Sequence, residues 1–387
     1  MSKLEELINE LCPDGVEYKT LGEIATDIYR GSGITRDQVT PTGKPCVRYG
    51  EIYTTYDIWF EKCVSFTNED TITNKKYFEY GDILFAITGE SVEEIAKSCV
   101  YVGADKCLAG GDIVVLKHHQ DPKYLSYVLS TTDAQKQKSK GKVKSKVVHS
   151  SVPAISTILI PLPRIPVQRE IVRILDNFTE LTAELTAELT ARKKQYEYYR
   201  DFLFDFGDDV PRVKLIDITD ISRGVRVVKK QLIPDGKYPV YQNCLTAMGY
   251  YDKHNCDADT TYVISAGAAG EIGFSDKDFW AADDCLIFSN LNGVINKYIY
   301  YFLTTKQDFI RSNVRRASIP RLSRRVIENL QIPFVPLEEQ ERIVAILDRF
   351  DKLCNDLTIG LPAEIEARRK QYEYYRDKLL TFKEAKA

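Results

Sequence analysis

The side chains most suited to chemistry in this sequence are basic residues gathered into two runs, neither of which contains an acidic side chain. The runs comprise Lys136, Lys138, Lys140, Lys142, Lys144 and Lys146, and then Arg311, Arg315, Arg316, Arg321, Arg324 and Arg325. Lysine and arginine both neutralise phosphate, and arginine can also form a forked pair of hydrogen bonds with guanine. One run alone would be read as a solvated loop, so the interpretation depends on there being two.

Catalytic motifs are weak or missing. Gly43-Lys44 is followed by proline and lacks the leading glycine of a phosphate-binding loop. The run 267–273 only loosely resembles a dinucleotide loop, because the residues after it are typical of a turn and not of a helix. Asp82 and Lys97, with the acids between them, could be forced into a nuclease-like pattern, but a solvated turn explains them better. We therefore expect that this chain catalyses no reaction.

Composition limits the remaining classes. The net charge of −3 does not by itself suggest a nucleic-acid partner, and 387 residues are enough for two or three domains with their own cores. Nine scattered cysteines without a Cys-x-x-Cys pair indicate reduced thiols in a cytoplasm. No Cys/His cluster has metal-ligand spacing, so we expect no metal site. Neither a signal peptide nor an apolar run of the ~20 residues needed to span a bilayer is present, so no membrane contact is expected.

The elements that must position the basic runs are revealed by an internal repeat. Residues 192–201 read RKKQYEYYRD and residues 368–377 read RRKQYEYYRD. Upstream of these blocks, 160–178 matches 332–350 at a constant offset of 172. The period is far too long for a solenoid, so it indicates a domain duplication. The two basic runs occupy the same place in the duplicated pattern.

The segments between the repeated blocks have the composition of strands. Runs rich in β-branched and aromatic residues, bounded by Gly, Asp and Asn, predict strands. They lie at 45–49, 82–88, 98–102 and 112–117 in the first half and at 238–241, 260–265 and 285–288 in the second. Apolar spacings of three and four predict a short helix at 124–131. Each half is therefore expected to contain an α+β domain.

A long helical pattern follows each of these segments. No Gly or Pro interrupts 167–206, and at ~1.5 Å per residue such a helix would reach about 55–60 Å. Its apolar stripe requires a partner, and the second copy is the obvious one. We predict the α+β fold class, with two globular α/β domains separated by a long antiparallel two-helix coiled coil about a pseudo-twofold axis. The alternative is that each stripe packs on its own globular segment.

The two helical copies differ in length and continuity. Residues 181–191 read LTAELTAELTA, a tandem four-residue unit, whereas the second copy contains Gly360 and Pro362. We predict that the second helix ends near Thr358 and restarts at Pro362. Each four-residue unit adds ~6 Å and ~40° of rotation, so the first helix can act as an adjustable ruler.

These motifs resemble those of the specificity subunit of type I restriction–modification systems. The features that carry the resemblance are the blocks at 160–178 and 332–350, the two KQYEYYRD blocks, and the Ser-x-Pro-x-(Ile/Leu)-Ser elements at 151–156 and 318–323. The resemblance covers essentially the whole chain, and Gly360 with Pro362 departs from its internal symmetry. It predicts a first target recognition domain at 1–158, a first spacer helix at 159–206, a second target recognition domain at 207–330 and a second spacer helix at 331–387.

The resemblance implies that each target recognition domain reads one half of a split, asymmetric sequence in double-stranded DNA. The helices would fix the number of unread base pairs between the half-sites. Two modification subunits, which carry S-adenosylmethionine and methylate adenine, would dock on the helices, and two restriction subunits driven by ATP would join in an endonuclease. The chain itself would bind no cofactor. A two-headed adaptor that binds proteins instead of DNA is the alternative, and an unrecognised nuclease is a third class.

Candidate DNA-binding residues follow from these two arguments together. In the first half they are Arg30, Ser32, Arg36, Arg48, Lys140, Lys142, Lys144 and Lys146, and in the second half Arg223, Arg226, Gln242, Asn243, Arg315, Arg316, Ser318, Arg321 and Arg324. Arg30 and Arg223 match in the repeat, which favours a shared structural or backbone role. Gln242 and Asn243 stand where the halves differ, and differing positions could encode different half-sites.

The tyrosine-rich blocks predict a second kind of surface. Three tyrosines so closely spaced cannot all lie on one face of a helix. Some must pack between the helices, and others are suited to a partner protein, since aromatic and arginine side chains are common interface anchors. We predict that Tyr198 and Tyr374 contribute to docking the modification subunits.

Overall fold

The computed structural model describes residues 2–142 and 146–385. Backbone contacts divide the chain into two compact units, the first comprising 1–184 with 365–387 and the second comprising 185–364. Both boundaries of the division, at 184/185 and 364/365, fall inside helices. Each unit therefore contains one globular part together with segments of the helices that the repeat predicts.

The first unit contains most of the described strands. Its helices are α1 (Lys3–Leu11), α2 (Leu21–Ile24), α3 (Tyr49–Thr54), α4 (Pro122–Leu129), α5 (Thr132–Ser139), α6 (Val152–Ser156) and the start of α7 (Ile165–Leu203). Its strands are β1 (Tyr18–Thr20), β2 (Ala25–Arg30), β3 (Val39–Thr40), β4 (Lys44–Val47), β5 (Trp59–Phe60), β6 (Ser65–Thr67), β7 (Tyr77–Phe78), β8 (Ile83–Ala86), β9 (Thr88–Gly89), β10 (Ser98–Tyr101), β11 (Cys107–Ala109), β12 (Ile113–His118), β13 (Val148–His149) and β14 (Leu159–Pro161).

The second unit contains a shorter version of the same elements. Its strands are β15 (Arg212–Lys214), β16 (Asp220–Arg223), β17 (Tyr238–Tyr241), β18 (Gly249–Tyr251), β19 (Thr260–Ile264), β20 (Ile272–Ser275), β21 (Trp280–Ala281), β22 (Cys285–Ser289) and β23 (Gln331–Pro333). Its helices are the end of α7, α8 (Leu215–Ile218), α9 (Asn296–Thr305), α10 (Gln307–Ser312), α11 (Arg324–Glu328), α12 (Leu337–Asn355) and the first turn of α13 (Leu361–Leu379), which continues in the first unit.

The two units share one sheet topology. The order β2-β12-β8-β10 of the first unit corresponds to β16-β22-β19-β20 of the second, with antiparallel pairing throughout. A smaller sheet pairs β4 with β11 in parallel, as β17 pairs with β21. The first unit adds β5 to its main sheet and β3 and β7 to its smaller sheet. The predicted α+β fold class with an internal repeat is confirmed.

Buried polar side chains fix the start of each long helix against its own globular part. Gln168 is fully buried. Its amide N–H groups donate to the Pro163 carbonyl oxygen and to the side-chain Oε1 of Gln120, and its oxygen accepts from the Asp121 N–H. Gln340 makes the equivalent set of three bonds in the second unit. Buried polar groups in proteins are normally hydrogen-bonded, and each of these amides finds its partners in its own globular part. The bonds therefore fix the orientation of α7 and of α12 on the globular part that each one follows.

Both packing alternatives for the apolar stripes occur. Ile171 and Leu175 are fully buried in the core of the first globular part, so the beginning of α7 packs on its own domain. Further along α7 the ring of Phe178 stacks on Tyr375 of α13, with centroids 5.6 Å apart. In the second unit Tyr199 stacks on Phe350 of α12 at 5.5 Å. Each unit thus contains a pair of long-helix segments that meet through matched aromatic residues.

The predicted break in the second helix is confirmed, although the first part ends three residues before Thr358 and the second begins one residue before Pro362. Helix α12 ends at Asn355 and α13 begins at Leu361. Asp356 caps the intervening turn by accepting from the backbone N–H and the hydroxyl of Thr358. Gly360 is required there, since a side chain would meet the carbonyl oxygens of Lys352 and Asp356 at 2.6 Å.

Candidate nucleic-acid interface

In the second unit the arginine-rich segment forms an anchored loop, residues 315–321, which we call the arginine loop. Arg315 and Arg321 exchange backbone hydrogen bonds of 2.9 and 3.2 Å, which close the loop. Arg321 also forms an isolated β-bridge with Ala266, two residues beyond the end of central strand β19. The next residue, Leu322, is buried and donates to the Ser265 carbonyl oxygen. The loop therefore starts from a rigid base at one end of the sheet.

The segment at 242–243 is joined to the same end of the sheet. The Ala268 N–H donates to the Asn243 carbonyl oxygen at 2.8 Å, and the Gly267 N–H donates to the Pro320 carbonyl oxygen at 3.2 Å. Gly267 has φ of +86°, and a Cβ there would lie 2.8 Å from Asn243, so this crossing requires glycine. One short turn thus holds the arginine loop and the amide-bearing segment together.

Most of the predicted side chains of the second unit are exposed. The exposed ones are Arg223, Arg226, Asn243, Arg315, Arg316, Ser318, Arg321 and Arg324, and Gln242 is half-buried. Arg324 differs from the others because it is engaged within the unit, pairing with Glu328 at 2.8 Å and donating to the Ile221 carbonyl oxygen. Its position favours a structural role, in which it holds α11 against β16, over a contact with a DNA phosphate.

The lysine-rich segment of the first unit returns to the sheet in the same way, and we call its described residues, 140–142 and 146–149, the lysine loop. His149 pairs with Thr88, two residues beyond the end of central strand β8. Lys140 and Lys146 are exposed and Lys142 is half-buried, whereas the predicted Lys144 lies outside the described residues.

The two loops occupy equivalent positions in the two units. His149 and Arg321 are related by the offset of 172, and each pairs with a residue two positions after the end of the equivalent central strand. The same offset relates Ser151 to Ser323, the N-cap residues of α6 and α11. The predicted match of Ser151 with Ser318 is therefore wrong, because the pairing of β14 and β23 with β1 and β15 fixes the register five residues further on.

The remaining candidates of the first unit divide into exposed and engaged residues. Arg36 is exposed. Arg30 donates to Asp112 at 2.6 Å and to the Gly111 carbonyl oxygen, and Arg48 pairs with Glu51 at 3.3 Å. Ser32 is a correction, since it is only 5% exposed and its backbone pairs with Gly110. A side chain this deeply buried cannot contact DNA without opening the sheet.

The sequence analysis missed two residues of the candidate surface, His149 and Thr88. His149 accepts or donates a hydrogen bond of 3.2 Å with the Thr88 hydroxyl and is exposed at the point where the lysine loop rejoins the sheet. A lone histidine and a lone threonine indicate nothing by themselves. The offset of 172 from Arg321 was the signal that could have identified His149.

The structure separates the residues of the nuclease-like pattern. Asp82 binds Lys117 at 2.7 Å, and burial raises the pKa of its carboxyl group. Lys97 instead donates to the carbonyl oxygens of Tyr53 and Tyr56. The run 267–273 leads into strand β20 and not into a helix, which removes the dinucleotide-loop interpretation as well.

One group of possible metal ligands was not predicted. The ligand atoms of His254, Asp257 and Asp278 lie within 4.8 Å of one another in the second unit. His254 and Asp257 are exposed, and Asp278 already accepts from the Ala258 N–H. Exposed acidic groups of this kind are common without a metal, so the geometry alone assigns no ion to them.

The tyrosine-rich blocks divide between buried and exposed positions. Tyr196 and Tyr199 pack against Phe350, whereas Tyr198 is 65% exposed and stacks on Phe202, which is 60% exposed. In the first unit Tyr374 is 61% exposed, and Lys378 lies over its ring at 5.8 Å. The docking role predicted for Tyr198 and Tyr374 stays a prediction.

Comparison with known proteins gives the class. Residues 13–192 and 208–367 each match the family described as the type I restriction modification DNA specificity domain. The matches span most of the chain, which therefore belongs to this family of sequence-recognising subunits. The family supplies specificity and is not a catalytic one. In the described part of the chain, no helix is both long and apolar enough to cross a membrane.

Individual relatives carry related names. A putative type I specificity subunit of Mycoplasma pneumoniae is 37% identical over 235 residues, which cover 57% of this chain and 92% of the relative. A putative specificity subunit of Haemophilus influenzae is 34% identical over 270 residues, covering 62% and 68%. The specificity subunit of an Escherichia coli type I restriction enzyme is 33% identical over 254 residues, covering 58% and 63%.

Solved structures support the fold at low sequence identity. The crystal structure of a type I specificity subunit from M. genitalium matches with a TM-score of 0.59 and 17% identity over 95% of this chain and 96% of that one. A chain from a structure on the assembly and conformational transition of a type I system matches with a TM-score of 0.61 and 16% identity, covering 96% and 98%.

Proposed function

We propose that each unit of this DNA specificity subunit reads one part of a split DNA target. The observation that carries the proposal is the equivalence of the lysine loop and the arginine loop. Two loops of different basic composition rejoin the sheet at the same structural position in the two units. A duplicated scaffold with unlike loops is suited to a target with unlike halves.

Within each unit the exposed cations and the amides have different tasks. Lys140, Lys146, Arg316 and their neighbours neutralise phosphates and set the position of the protein on the duplex. Asn243, with Gln242 beside it, supplies paired donors and acceptors, which suit an adenine edge in the major groove. The equivalent position of the first unit holds the ion-paired Arg48, so the two units would read different bases.

The long helices and the partner subunits complete the proposal. Helix α7 sets the number of base pairs between the half-sites, and the repeated aromatic blocks dock two modification subunits that bind S-adenosylmethionine and methylate adenine. Two restriction subunits that use ATP would join in the cleaving form. Under this proposal the chain holds no cofactor of its own and works in the cytoplasm. The Escherichia coli relative, named as the specificity subunit of a restriction enzyme, supports this division of labour.

A salt titration of duplex binding tests the proposal against a protein-binding adaptor. Affinity for a duplex with the correct target should fall steeply as salt rises, because each phosphate contact releases a counterion. Arg316→Ala is expected to reduce the slope of log affinity against log salt by about one. An absence of salt-dependent binding by the chain with its modification subunits would favour the adaptor.

A further inference from the structure

In the described residues, each basic loop exposes an aliphatic side chain at the same place. Ile319 in the arginine loop is 54% exposed, and Val147 in the lysine loop is 47% exposed. Each lies two residues before the residue that rejoins the sheet, Arg321 or His149. A single exposed aliphatic residue on a protein surface needs no explanation. An exposed aliphatic residue at the same position of two otherwise dissimilar loops does need an explanation.

The backbone on the sheet side of Ile319 is anchored. The carbonyl oxygen of Pro320 accepts from the Gly267 N–H, and Arg321 is held by its bonds to Arg315. Proline also fixes its own φ, which limits the freedom of the segment. In the lysine loop the residue after Val147 is Val148, which is 4% exposed and paired with Gly89. Both aliphatic side chains are thus presented from a fixed base.

The surroundings of Ile319 indicate what it meets. Arg315, Arg316 and Arg321 are exposed within two to four residues of it. A protein-binding site would be expected to extend the apolar surface beyond one residue. An exposed aliphatic side chain with three exposed arginines within four residues along the chain fits a polyanion whose interior is apolar, as the interior of DNA is.

We propose that Ile319 is an apolar wedge that enters a groove of the second half-site and presses against the base stack, and that Val147 does the same at the first half-site. The inference rests on the proposed reading of DNA by both units. The arginines would bring the loop to the phosphates, and the aliphatic side chain would partly unstack one base step, as apolar wedges do in DNA-bending proteins. Because pyrimidine–purine steps unstack most easily, the wedge adds selectivity at a position without hydrogen bonds.

The test uses the full chain assembled with its modification subunits and a duplex that contains its mapped target. 2-Aminopurine is placed in turn at each position of the second half-site except the methylated adenine, which the partner would move by itself. We compare the wild type with Ile319→Ala and with Ile216→Ala. Ile216 is the matched control, since it is 50% exposed and lies outside the arginine loop, on helix α8, which precedes strand β16.

The wild type and Ile216→Ala should raise 2-aminopurine fluorescence at one base step, and Ile319→Ala should not. Ile319→Ala should also weaken specific binding about tenfold or more, because three aliphatic carbons leave a buried contact. The salt dependence and the non-specific binding should remain unchanged. Unchanged specific affinity and an unchanged fluorescence pattern in Ile319→Ala would overturn the wedge. Loss of salt-dependent binding by the wild type itself would instead overturn the proposed function.

Discussion

At the scale of single residues, two buried glutamines connect the long helices to the globular parts. Gln340 accepts from the Ile295 N–H and donates to the carbonyl oxygens of Gly293 and Val335. Gln168 does the same work in the first unit. Neither glutamine side chain is exposed to solvent, so losing its amide removes hydrogen bonds from a buried position.

Gln340→Ala is therefore expected to destabilise the second unit. It leaves the buried Val335 carbonyl oxygen and two part-buried backbone groups without their partner, which costs about 1–3 kcal/mol of unfolding free energy. Chemical denaturation measures the loss. Glu341→Ala is the control, since that neighbour is exposed and should change stability by less than about 0.5 kcal/mol. Equal stability of both variants would mean that the amide does not hold the helix.

Lys138 is a second residue whose environment makes a prediction. It is 4% exposed and its ammonium group donates to the Leu129 carbonyl oxygen at 2.7 Å and to the Ser98 hydroxyl at 3.1 Å. Burial lowers the pKa of Lys138 to about 7. The corresponding helix of the second unit buries Ile310 instead.

The pH dependence follows from the direction of that pKa shift. Between pH 7 and the ordinary lysine value of about 10.4, the unfolded chain binds more protons than the folded one, so stability rises with pH in this window. The wild type should gain unfolding free energy relative to Lys138→Met when denaturation is repeated at pH 9.5 instead of pH 7. Lys136→Met, at an exposed position of the same helix, should show no such difference. A parallel response of all three proteins would contradict the assignment.

At the scale of elements, helix α7 is continuous through its tandem repeat. The helix runs from Ile165 to Leu203 without a break, so an inserted four-residue unit would keep the helical phase nearly constant. It would add ~6 Å and ~40°. B-DNA turns about 34–36° per base pair, and both units must still face their grooves. The added rotation, and not the added length, therefore decides how many base pairs the spacer gains.

An added Thr-Ala-Glu-Leu unit after Leu189 should therefore lengthen the target spacer by one base pair. Methylation-site sequencing of cells that express the variant with its modification subunits gives the spacing. A variant of unchanged length, Thr186→Ala with Thr190→Ala, should retain the parental spacer. Recovery of the parental spacing from the insertion variant would refute the ruler.

The exposed faces of the aromatic blocks make a prediction about docking. Tyr198→Ala combined with Tyr374→Ala should reduce capture of the modification subunits, because exposed aromatics beside arginine are typical anchors. Tyr80→Ala is a matched control, since Tyr80 is 64% exposed and lies outside the two tyrosine-rich blocks. Pull-down with tagged modification subunits measures the loss. Undiminished assembly of the double variant would count against the docking surface.

The elements most easily predicted from the sequence were the buried strands. Residues 83–86, 98–101 and 113–116 are fully or almost fully buried, so their sequences are nearly continuous apolar runs. Strand β2 was missed because it lies at a sheet edge and carries exposed polar residues. Its equivalent β16 was missed for the same reason.

The candidate surface was predicted less completely than the fold. Lys138 belongs to an alternating run that suggested a solvated loop, yet helix α5 places it on the buried face with Ala134, four residues before. Ser32 is buried because Gly31 approaches the carbonyl oxygens of Ala109 and Gly110. That contact joins residues about eighty positions apart, and no local pattern encodes it.

At the scale of the whole molecule, the duplication explains why one chain contains two similar units with unlike loops. The sheet order, the capping serines and the buried glutamines are repeated, so the scaffold is shared. The basic loops and the segments after β4 and β17 differ in sequence. A common scaffold with separately variable loops allows each half-site to change without altering the other.

Modified-base sequencing of DNA from cells that express this chain with its modification subunits tests the central claim most directly. The account predicts methylated adenines in a motif of two unlike halves separated by a fixed number of unspecified base pairs. Replacement of residues 207–330 by those of a relative should change one half of the motif and leave the other half and the spacer intact. A single continuous motif, or a replacement that alters both halves together, would contradict it.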